Sequence, residues 1–289
     1  MSTSANGTGT APLLARSVRD LREIIAQWRK DGASVGLVPT MGALHQGHMA
    51  LVRVMQEKVD RTIVSIFVNP KQFGVDEDLD DYPRPLEDDL AQLASVKVDA
   101  AFVPEAEMIY PAGFSTIVSV SGLTNFMCGK ERPGHFEGVA TIVTKLLLQA
   151  LPDAAIFGEK DYQQLLIIRQ LVSDLDIPVE IYSAPIERES DGLAISSRNR
   201  YLSASDRRLA PALYATLQSI AKDAVENFNY RSLESRGIEA LLEAGFEDVD
   251  YFEFRDAETL ELALRSDQAK RLFAAAFIGG KRLIDNVAL

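Results

Sequence analysis

All three histidines of the chain, His45, His48 and His135, lie in glycine-rich turns and not in apolar stripes. The first two belong to Pro39 to His48 (PTMGALHQGH), which joins a predicted strand to a predicted helix. Glycine lets a backbone approach a ligand closely, and a helix N-terminus offers N–H groups and partial positive charge to phosphate. The segment therefore favours phosphate binding, with simple helix capping as the alternative. A metal site would lack nearby Cys or carboxylate ligands.

A second polar segment, Phe157 to Gln164 (FGEKDYQQ), also runs from a predicted strand into a helix. Lys160 can neutralise charge on a polyphosphate, and the amide of Gln164 can donate and accept hydrogen bonds. The alternative is a solvated charged turn.

A third segment, Asp191 to Arg200 (DGLAISSRNR), places Ser196 and Ser197 before Arg198. Two hydroxyls and a guanidinium on a mobile loop could close over a triphosphate. On its own this pattern is weak, because Ser-Ser-Arg is common in ordinary turns.

Two further groups could bind a small substrate or a metal ion. In Asn69 to Gly74 (NPKQFG), the Gln72 amide suits the hydroxyls and carboxylate of a small molecule. On the next predicted helix, Asp88 and Gln92 share a face with Asp89 adjacent, and such oxygen ligands suit Mg²⁺. An exposed acidic helix start is the preferred interpretation of this cluster.

The elements that position these residues alternate between apolar strands and amphipathic helices. This alternation predicts an α/β fold, a Rossmann-like doubly wound parallel sheet with ligand sites at the carboxyl ends of its strands. A capping box at Ser17 and Asp20 begins the first helix. Strands are expected at 34–38, 62–68, 100–103, 155–157 and 179–182, with later helices at 48–59, 85–95, 139–151 and 162–173. Beyond residue 184 the pattern predicts helices at 205–227 and 232–243 and strands at 249–254 and 272–277.

Three regions follow from this pattern: a flexible tail at 1–12, a nucleotide- and substrate-binding domain at 13–185, and a smaller α+β domain at 186–289. A net charge of −12 argues against nucleic-acid or anionic-membrane binding. The single cysteine, Cys128, rules out an intramolecular disulfide and favours a cytoplasmic location. No signal peptide or transmembrane helix is expected.

Taken together, the segments resemble the pantothenate synthetase family of the HIGH-type nucleotidyltransferase superfamily. The resemblance covers nearly all of residues 37–202 and ends weakly near the C-terminus. It rests on PTMGALHQGH, FVNPKQFG, YPRPLEDD, RPGHFEGVAT, PDAAIFGEKDYQQL, DGLAISSRNRYL and RLIDN.

This resemblance implies a Mg²⁺- and ATP-dependent ligase that condenses pantoate with β-alanine through pantoyl adenylate, in a homodimer whose C-terminal domain acts as a lid. Ile195 to Arg198 stands where related enzymes carry KMSKS. The implied ATP contacts are Met41, Gly42, Ala43, Leu44, His45, Gln46, Gly47, His48, Gly158, Glu159, Lys160, Asp161, Glu187, Ile195, Ser196, Ser197 and Arg198. The implied pantoate and β-alanine contacts are Pro39, Met41, Asn69, Gln72 and Gln164. Catalytic roles are expected for His45, His48, Lys160, Ser196, Ser197 and Arg198.

Some positions depart from the family pattern, and other functions stay open. Pro85 replaces a frequent Thr, Glu137 a frequent basic residue and Glu187 a usual apolar residue, while Lys130-Glu131 is unusual. The alternatives are an adenylyltransferase for a phosphorylated acceptor, a tRNA synthetase, and a silent nucleotide-binding protein. A phosphorylated acceptor would call for Arg or Lys instead of glutamines in its pocket, and an RNA-binding extension is not evident.

Overall fold

The computed structural model describes residues 11–74, 79 and 82–289. Most of the predicted tail at 1–12 lies outside these residues, as do Asp80 and Asp81. The chain divides into two compact units. The first takes residues up to Val120, Gly134–Phe157 and Ile168–Ala184. The second takes Ser121–Pro133, Gly158–Ile167 and Pro185–Leu289, so it includes two segments that the sequence assigned to the first domain.

The first unit contains the predicted parallel sheet, and the α/β fold class is confirmed. Its strand order is β1-β4-β3-β2-β5-β6. Because β2, β3 and β4 run outward in one direction and β5 and β6 in the other, the sheet is doubly wound with its switch point between β2 and β5, and β1 is added at the edge beside β4. The strands are β1 Leu13–Ala15, β2 Val35–Thr40, β3 Arg61–Ile66, β4 Ala100–Phe102, β5 Ala154–Gly158 and β6 Glu180–Ala184.

Helices pack on this sheet through apolar faces. The predicted capping box of α1 is present, with Ser17 and Asp20 bonding each other's backbone N–H. Gly36 in β2 leaves room for Met55 of α2, whose sulfur a Cβ would overlap. The first seven helices along the described chain are α1 Val18–Lys30, α2 Gln46–Gln56, α3 Leu86–Ser95, α4 Ala106–Ile109, α5 Met127–Glu131, α6 His135–Ala150 and α7 Tyr162–Asp174. Of these, α5 and the first residues of α7 belong to the second unit.

The second unit has a three-stranded antiparallel sheet, β7-β8-β9, with its own apolar core. The predicted helix at 205–227 is wrong in one respect: Pro211 begins a new helix and divides it. The strand β9 was not predicted. The elements are α8 Ala204–Leu209, α9 Ala212–Asp223, α10 Tyr230–Glu243, β7 Asp248–Asp256, β8 Lys270–Ile278 and β9 Lys281–Ala288. None of the helices described has both the length and the apolar character needed to span a bilayer.

Candidate active site

The loop between β2 and α2 turns through two left-handed residues. Gly42 has φ +82° and Ala43 has φ +50°. The Thr40 hydroxyl donates to Ser65 O at 2.7 Å and accepts from Gly42 N at 3.2 Å, which ties the loop to β3. Pro39 lies within β2 and Met41 directly follows that strand. The loop therefore leaves the carboxyl end of the sheet in a defined conformation.

His45 and His48 lie side by side where α2 begins. Their rings are stacked, with centroids 3.9 Å apart and an interplanar angle of 26°. His45 is the N-cap residue of α2, but its side chain makes no capping hydrogen bond with the helix. Gly47 leaves space for the His45 ring, because a Cβ there would lie 3.1 Å from it. Two imidazoles beside a helix N-terminus, which carries partial positive charge, suit a phosphate ligand better than a capping role.

Helix α3 contacts the same loop. The carboxylate of Asp89, which is 1% exposed, accepts hydrogen bonds from Ala43 N at 2.9 Å and Leu44 N at 2.7 Å. The Gln92 amide donates to Leu44 O at 3.1 Å. Asp88 is exposed. The buried carboxylate of Asp89 and the half-buried amide of Gln92 are thus both directed at loop backbone.

These contacts do not fit the predicted Mg²⁺ cluster of Asp88, Asp89 and Gln92. Mg²⁺ requires nearly octahedral oxygen ligands, whereas both Asp89 oxygens already accept hydrogen bonds from backbone amides. Among residues 11–74, 79 and 82–289, no group of three or more His, Cys, Asp or Glu could hold a metal ion.

A polar network connects Met41 with the predicted pantoate residues of the first unit. Gln72 Nε2 donates to Met41 Sδ at 2.8 Å, and Asn69 Nδ2 donates to Gln72 Oε1 at 3.0 Å. Burial raises the pKa of Tyr110, so its hydroxyl stays protonated and donates to Asn69 Oδ1 at 2.7 Å. His135 Nδ1 lies 2.8 Å from Gln72 O. The structure thus brings Met41, Asn69 and Gln72 together.

A cavity of about 470 Å³ opens beside this network, and its walls are mainly apolar. Met41 and Gly42 form one side, while Arg84 and Asp89 supply its charged groups. The other lining residues are Ile66, Phe67, Val68, Pro70, Leu79, Leu86, Val103, Pro104 and Ala106. An apolar pocket with a few polar groups is the usual form of a small-molecule site.

In the second unit, the predicted ATP residues Glu159, Lys160 and Asp161 form a short 3₁₀ turn after Gly158. Lys160 Nζ lies 3.6 Å from Asp161 Oδ2. Asn286 of β9 fixes the turn, because its Nδ2 donates to Glu159 O at 2.9 Å and to Lys160 O at 3.2 Å.

A salt bridge adds a second restraint to this turn. Arg271 Nη2 donates to Glu159 Oε2 at 2.7 Å and Arg271 Nη1 to Asn286 Oδ1 at 2.5 Å. Strands β8 and β9 therefore hold the backbone on which Lys160 is carried.

The loop that leads to Ser196 is held from β9 as well. Arg188 pairs with both oxygens of Asp285, at 2.6 and 2.9 Å, and stacks 3.4 Å over the Tyr214 ring. Burial raises the pKa of Asp285, and the Arg188 partner opposes that rise. Exposed Glu187 accepts from Ile195 N at 2.9 Å through its backbone.

The predicted Ser196 to Arg198 segment begins another 3₁₀ turn. Ser196 Oγ accepts from Arg198 N at 3.3 Å, and the turn itself spans Ser197–Tyr201. Ser197 is buried, whereas Arg198 is half-buried.

Gln164, the other predicted pantoate residue, is half-buried on α7 beside the buried Gln163. The side chain of Gln163 bonds only backbone groups in these contacts: its amide N–H groups donate to Leu123 O and Phe126 O, and its Oε1 accepts from Cys128 N.

The sequence reasoning did not identify the supporting roles of Tyr110, Arg188, Arg271, Asp285 and Asn286. Only RLIDN, the weak final motif of the resemblance, contained a signal for the last two.

Comparison with known proteins gives a consistent result. The family model described as pantoate-beta-alanine ligase matches residues 13–288. The chain is 50% identical over 280 residues to a pantothenate synthetase of Rhodospirillum rubrum, covering 96% of this chain and 98% of the relative. The crystal structure of pantothenate synthetase from Thermus thermophilus is similar with a TM-score of 0.90 and 43% identity, covering 95% of this chain and 98% of the other.

A third similar protein was solved with ligands. It is the pantoate-beta-alanine ligase from Francisella tularensis, complexed with beta-gamma ATP and beta-alanine. The similarity has a TM-score of 0.82 and 36% identity, and covers 96% of this chain and 98% of the other.

Proposed function

Because the chain belongs to the pantoate-beta-alanine ligase family, we propose that it condenses pantoate with β-alanine at the expense of ATP. The products are pantothenate, AMP and pyrophosphate, and the intermediate is pantoyl adenylate. The observation that carries this proposal is the loop from Met41 to His48, which presents a stacked imidazole pair at a helix N-terminus beside an apolar cavity.

In the first step the pantoate carboxylate attacks the α-phosphorus of ATP and pyrophosphate leaves. The carboxylate is ionised near neutral pH, so no general base is needed. The protein must instead position the reactants and neutralise charge on the phosphates. We assign that role to His45, His48 and Lys160 and to the Ser196, Ser197 and Arg198 group.

Pantoate combines an apolar dimethyl group with hydroxyls and a carboxylate. Asn69, Gln72 and Gln164 are assigned to its polar groups, and Pro39 and Met41 are the other proposed contacts. The apolar cavity next to Met41 supports this assignment, because the transfer of a dimethyl group from water into an apolar cavity is favourable.

In the second step the neutral amine of β-alanine attacks the carbonyl of the adenylate, and AMP leaves. The adenylate is a mixed anhydride, so water must be excluded until the amine arrives. Mg²⁺ would accompany the ATP phosphates, with no ligand from the protein assigned to it. A cytoplasmic location, a homodimer and a lid role for residues 186–289 complete the proposal.

Pantoate-dependent exchange of labelled pyrophosphate into ATP tests the two-step scheme. With Mg²⁺ and without β-alanine, we expect exchange that requires pantoate, because the first step is reversible and independent of the amine. Well-folded protein that binds ATP but does not catalyse exchange would instead be a silent nucleotide-binding protein.

Two substitutions test the assigned charge neutralisation. We expect Lys160→Ala and His48→Ala each to lower the maximal exchange rate about a hundredfold, the usual effect of losing one such donor. Lys30→Ala, which removes an exposed lysine from α1, is the matched control and should exchange at the wild-type rate. Wild-type turnover of both variants at saturating ATP would contradict the assignment.

A further inference from the structure

Helix α3 holds the loop that precedes the two histidines through three hydrogen bonds. Asp89 accepts from two consecutive backbone amides, Ala43 N and Leu44 N. Gln92, one helical turn later, donates to the Leu44 carbonyl. Leu44 immediately precedes His45 in the chain, so the position of its peptide group determines the position of the His45 Cα, from which the imidazole side chain extends.

The loop conformation that these bonds hold is a costly one. Ala43 is a non-glycine residue at φ +50°, where the Cβ crowds the backbone. Such a conformation persists only when the surrounding structure over-determines it. Gly42 is also confined, because a Cβ there would lie 3.0 Å from Asp89 Oδ2. Asp89 therefore fits against the loop closely as well as bonding to it.

We propose that Asp89 and Gln92 are positioning residues, which hold the strained turn at Gly42–Ala43 so that the stacked His45 and His48 rings face the phosphates of ATP. The inference rests on the proposed function. It assigns to α3 a task different from binding Mg²⁺, since the buried carboxylate is directed at backbone amides. Neither residue needs to touch a substrate in this role.

A small displacement of the loop should be sufficient to slow the reaction. Catalytic groups act within narrow limits of geometry, and an error of about 1 Å can lower a rate about a hundredfold. Asp89→Asn keeps the shape of the side chain but replaces one acceptor oxygen with an NH₂ group, which must then face a loop N–H. Glu87→Gln is the matched control, because it removes a negative charge from an exposed position on the same helix.

The experiment measures pyrophosphate exchange at several Mg²⁺ concentrations together with the histidine ring signals in NMR spectra. With only three histidines, the signals can be assigned by single substitution. In the Asp89→Asn protein we expect the maximal exchange rate to fall by about tenfold to a hundredfold. The half-saturating Mg²⁺ concentration should stay unchanged. The His45 and His48 signals should shift while the His135 signals stay in place.

For the Asp89→Asn protein, either of two results would overturn the inference: a folded protein with the wild-type maximal rate, or a lost rate that added Mg²⁺ restores, which would indicate a metal ligand. If Asp89→Asn does not fold, Gln92→Met removes only the bond to Leu44 O. A wild-type rate with unmoved signals in that variant also overturns it. If the wild-type protein itself shows no exchange, the proposed function fails, and the histidine signals still decide whether α3 positions the loop.

Discussion

At the scale of single residues, Gly138 determines how closely α6 approaches the turn that carries Gln72. A Cβ at this position would overlap Lys71 O and lie 2.6 Å from Gln72 N. The Gly138 carbonyl also accepts from Asn69 Nδ2 at 3.1 Å. The absence of a side chain at Gly138 therefore allows α6 to pack against the turn that carries Asn69 and Gln72, the two amides proposed to bind pantoate.

We predict that Gly138→Ala lowers the free energy of unfolding by about 1–3 kcal/mol, the usual cost of inserting a methyl group into a packed site. The higher helix propensity of alanine offsets part of this cost. Urea denaturation measures the change. The control is Gly158→Ala, where φ is −80° and a Cβ would meet open space, so its stability should change by less than about 0.5 kcal/mol. Equal stability losses in the two variants would contradict the packing argument.

Residue types and local spacing were enough to predict which segments carry the chemistry, including the loop of His45 and the turn of Lys160. They did not predict the supports of those segments. Asn286 lies 126 residues from Lys160 in sequence, and an isolated asparagine carries no sign of the backbone it will bind. Both sequence interpretations of Asp89, an exposed acidic helix start and a possible Mg²⁺ ligand, missed its buried contacts for the same reason, since a carboxylate directed at backbone amides looks identical in sequence to either.

At the scale of elements, two carboxylates secure the start of β2. Asp153 accepts from Val35 N and from Arg29 Nη1, each at 2.6 Å. Burial alone would raise the pKa of Asp153, but the hydrogen bonds from Arg29 and the Val35 amide outweigh it and hold the pKa below its ordinary value. Asp60 similarly accepts from Ser34, whose hydroxyl and backbone N–H lower the Asp60 pKa.

A carboxyl whose pKa is lowered by folding stabilises the fold above its unfolded pKa, and this contribution is lost as the pH falls through the folded pKa. We therefore predict that Asp153→Asn destabilises the protein by less than about 1 kcal/mol at pH 7, because the Asp153 side chain is 44% exposed and solvent screens its pair with Arg29. The difference from wild type should shrink as the pH falls below about 4. Denaturation at several pH values checks this, with Glu57→Gln, an exposed carboxylate on α2's C-cap, as the control. A difference that is constant with pH would contradict it.

The helices and strands of the parallel sheet were predictable because each strand is a short apolar run between amphipathic helices. The strands β1 and β9 were not. The first has three residues, two of them exposed, and so shows no periodicity. In the second, Asp285 and Asn286 are buried, which breaks the alternation expected of a half-buried strand. The Asp285 carboxylate and the Asn286 amide bond to partners that are distant in sequence and that only the tertiary fold brings near.

At the scale of the whole molecule, the chain divides into two compact units and has a single thiol. Cys128 is buried in the second unit, with its Sγ 3.2 Å from Tyr251 Oη and 3.3 Å from Arg282 Nη1. Arg282 also pairs with Asp250 at 2.5 Å. Access to the thiol therefore requires these contacts to open.

We predict that an aromatic disulfide reagent reacts with the native protein at least about a hundredfold more slowly than with the unfolded chain. The rate should rise with urea as the second unit opens, and comparison with circular dichroism would show whether both units unfold in one transition. Rapid reaction in native buffer would contradict the buried placement of Cys128. The Cys128→Ala protein gives the background rate.

Because β9 is synthesised after the other described elements, the parts of the candidate site that it supports must form late. A chain leaves the ribosome N-terminal end first, and domains fold as their residues emerge. The loop of His45 and its supports on α3 are complete early in translation. By contrast, the turn of Lys160 obtains its Asn286 bonds, and Arg188 its Asp285 partner, only after every other described element has been made. A nascent chain thus carries its histidine loop long before it can hold the lysine turn in place.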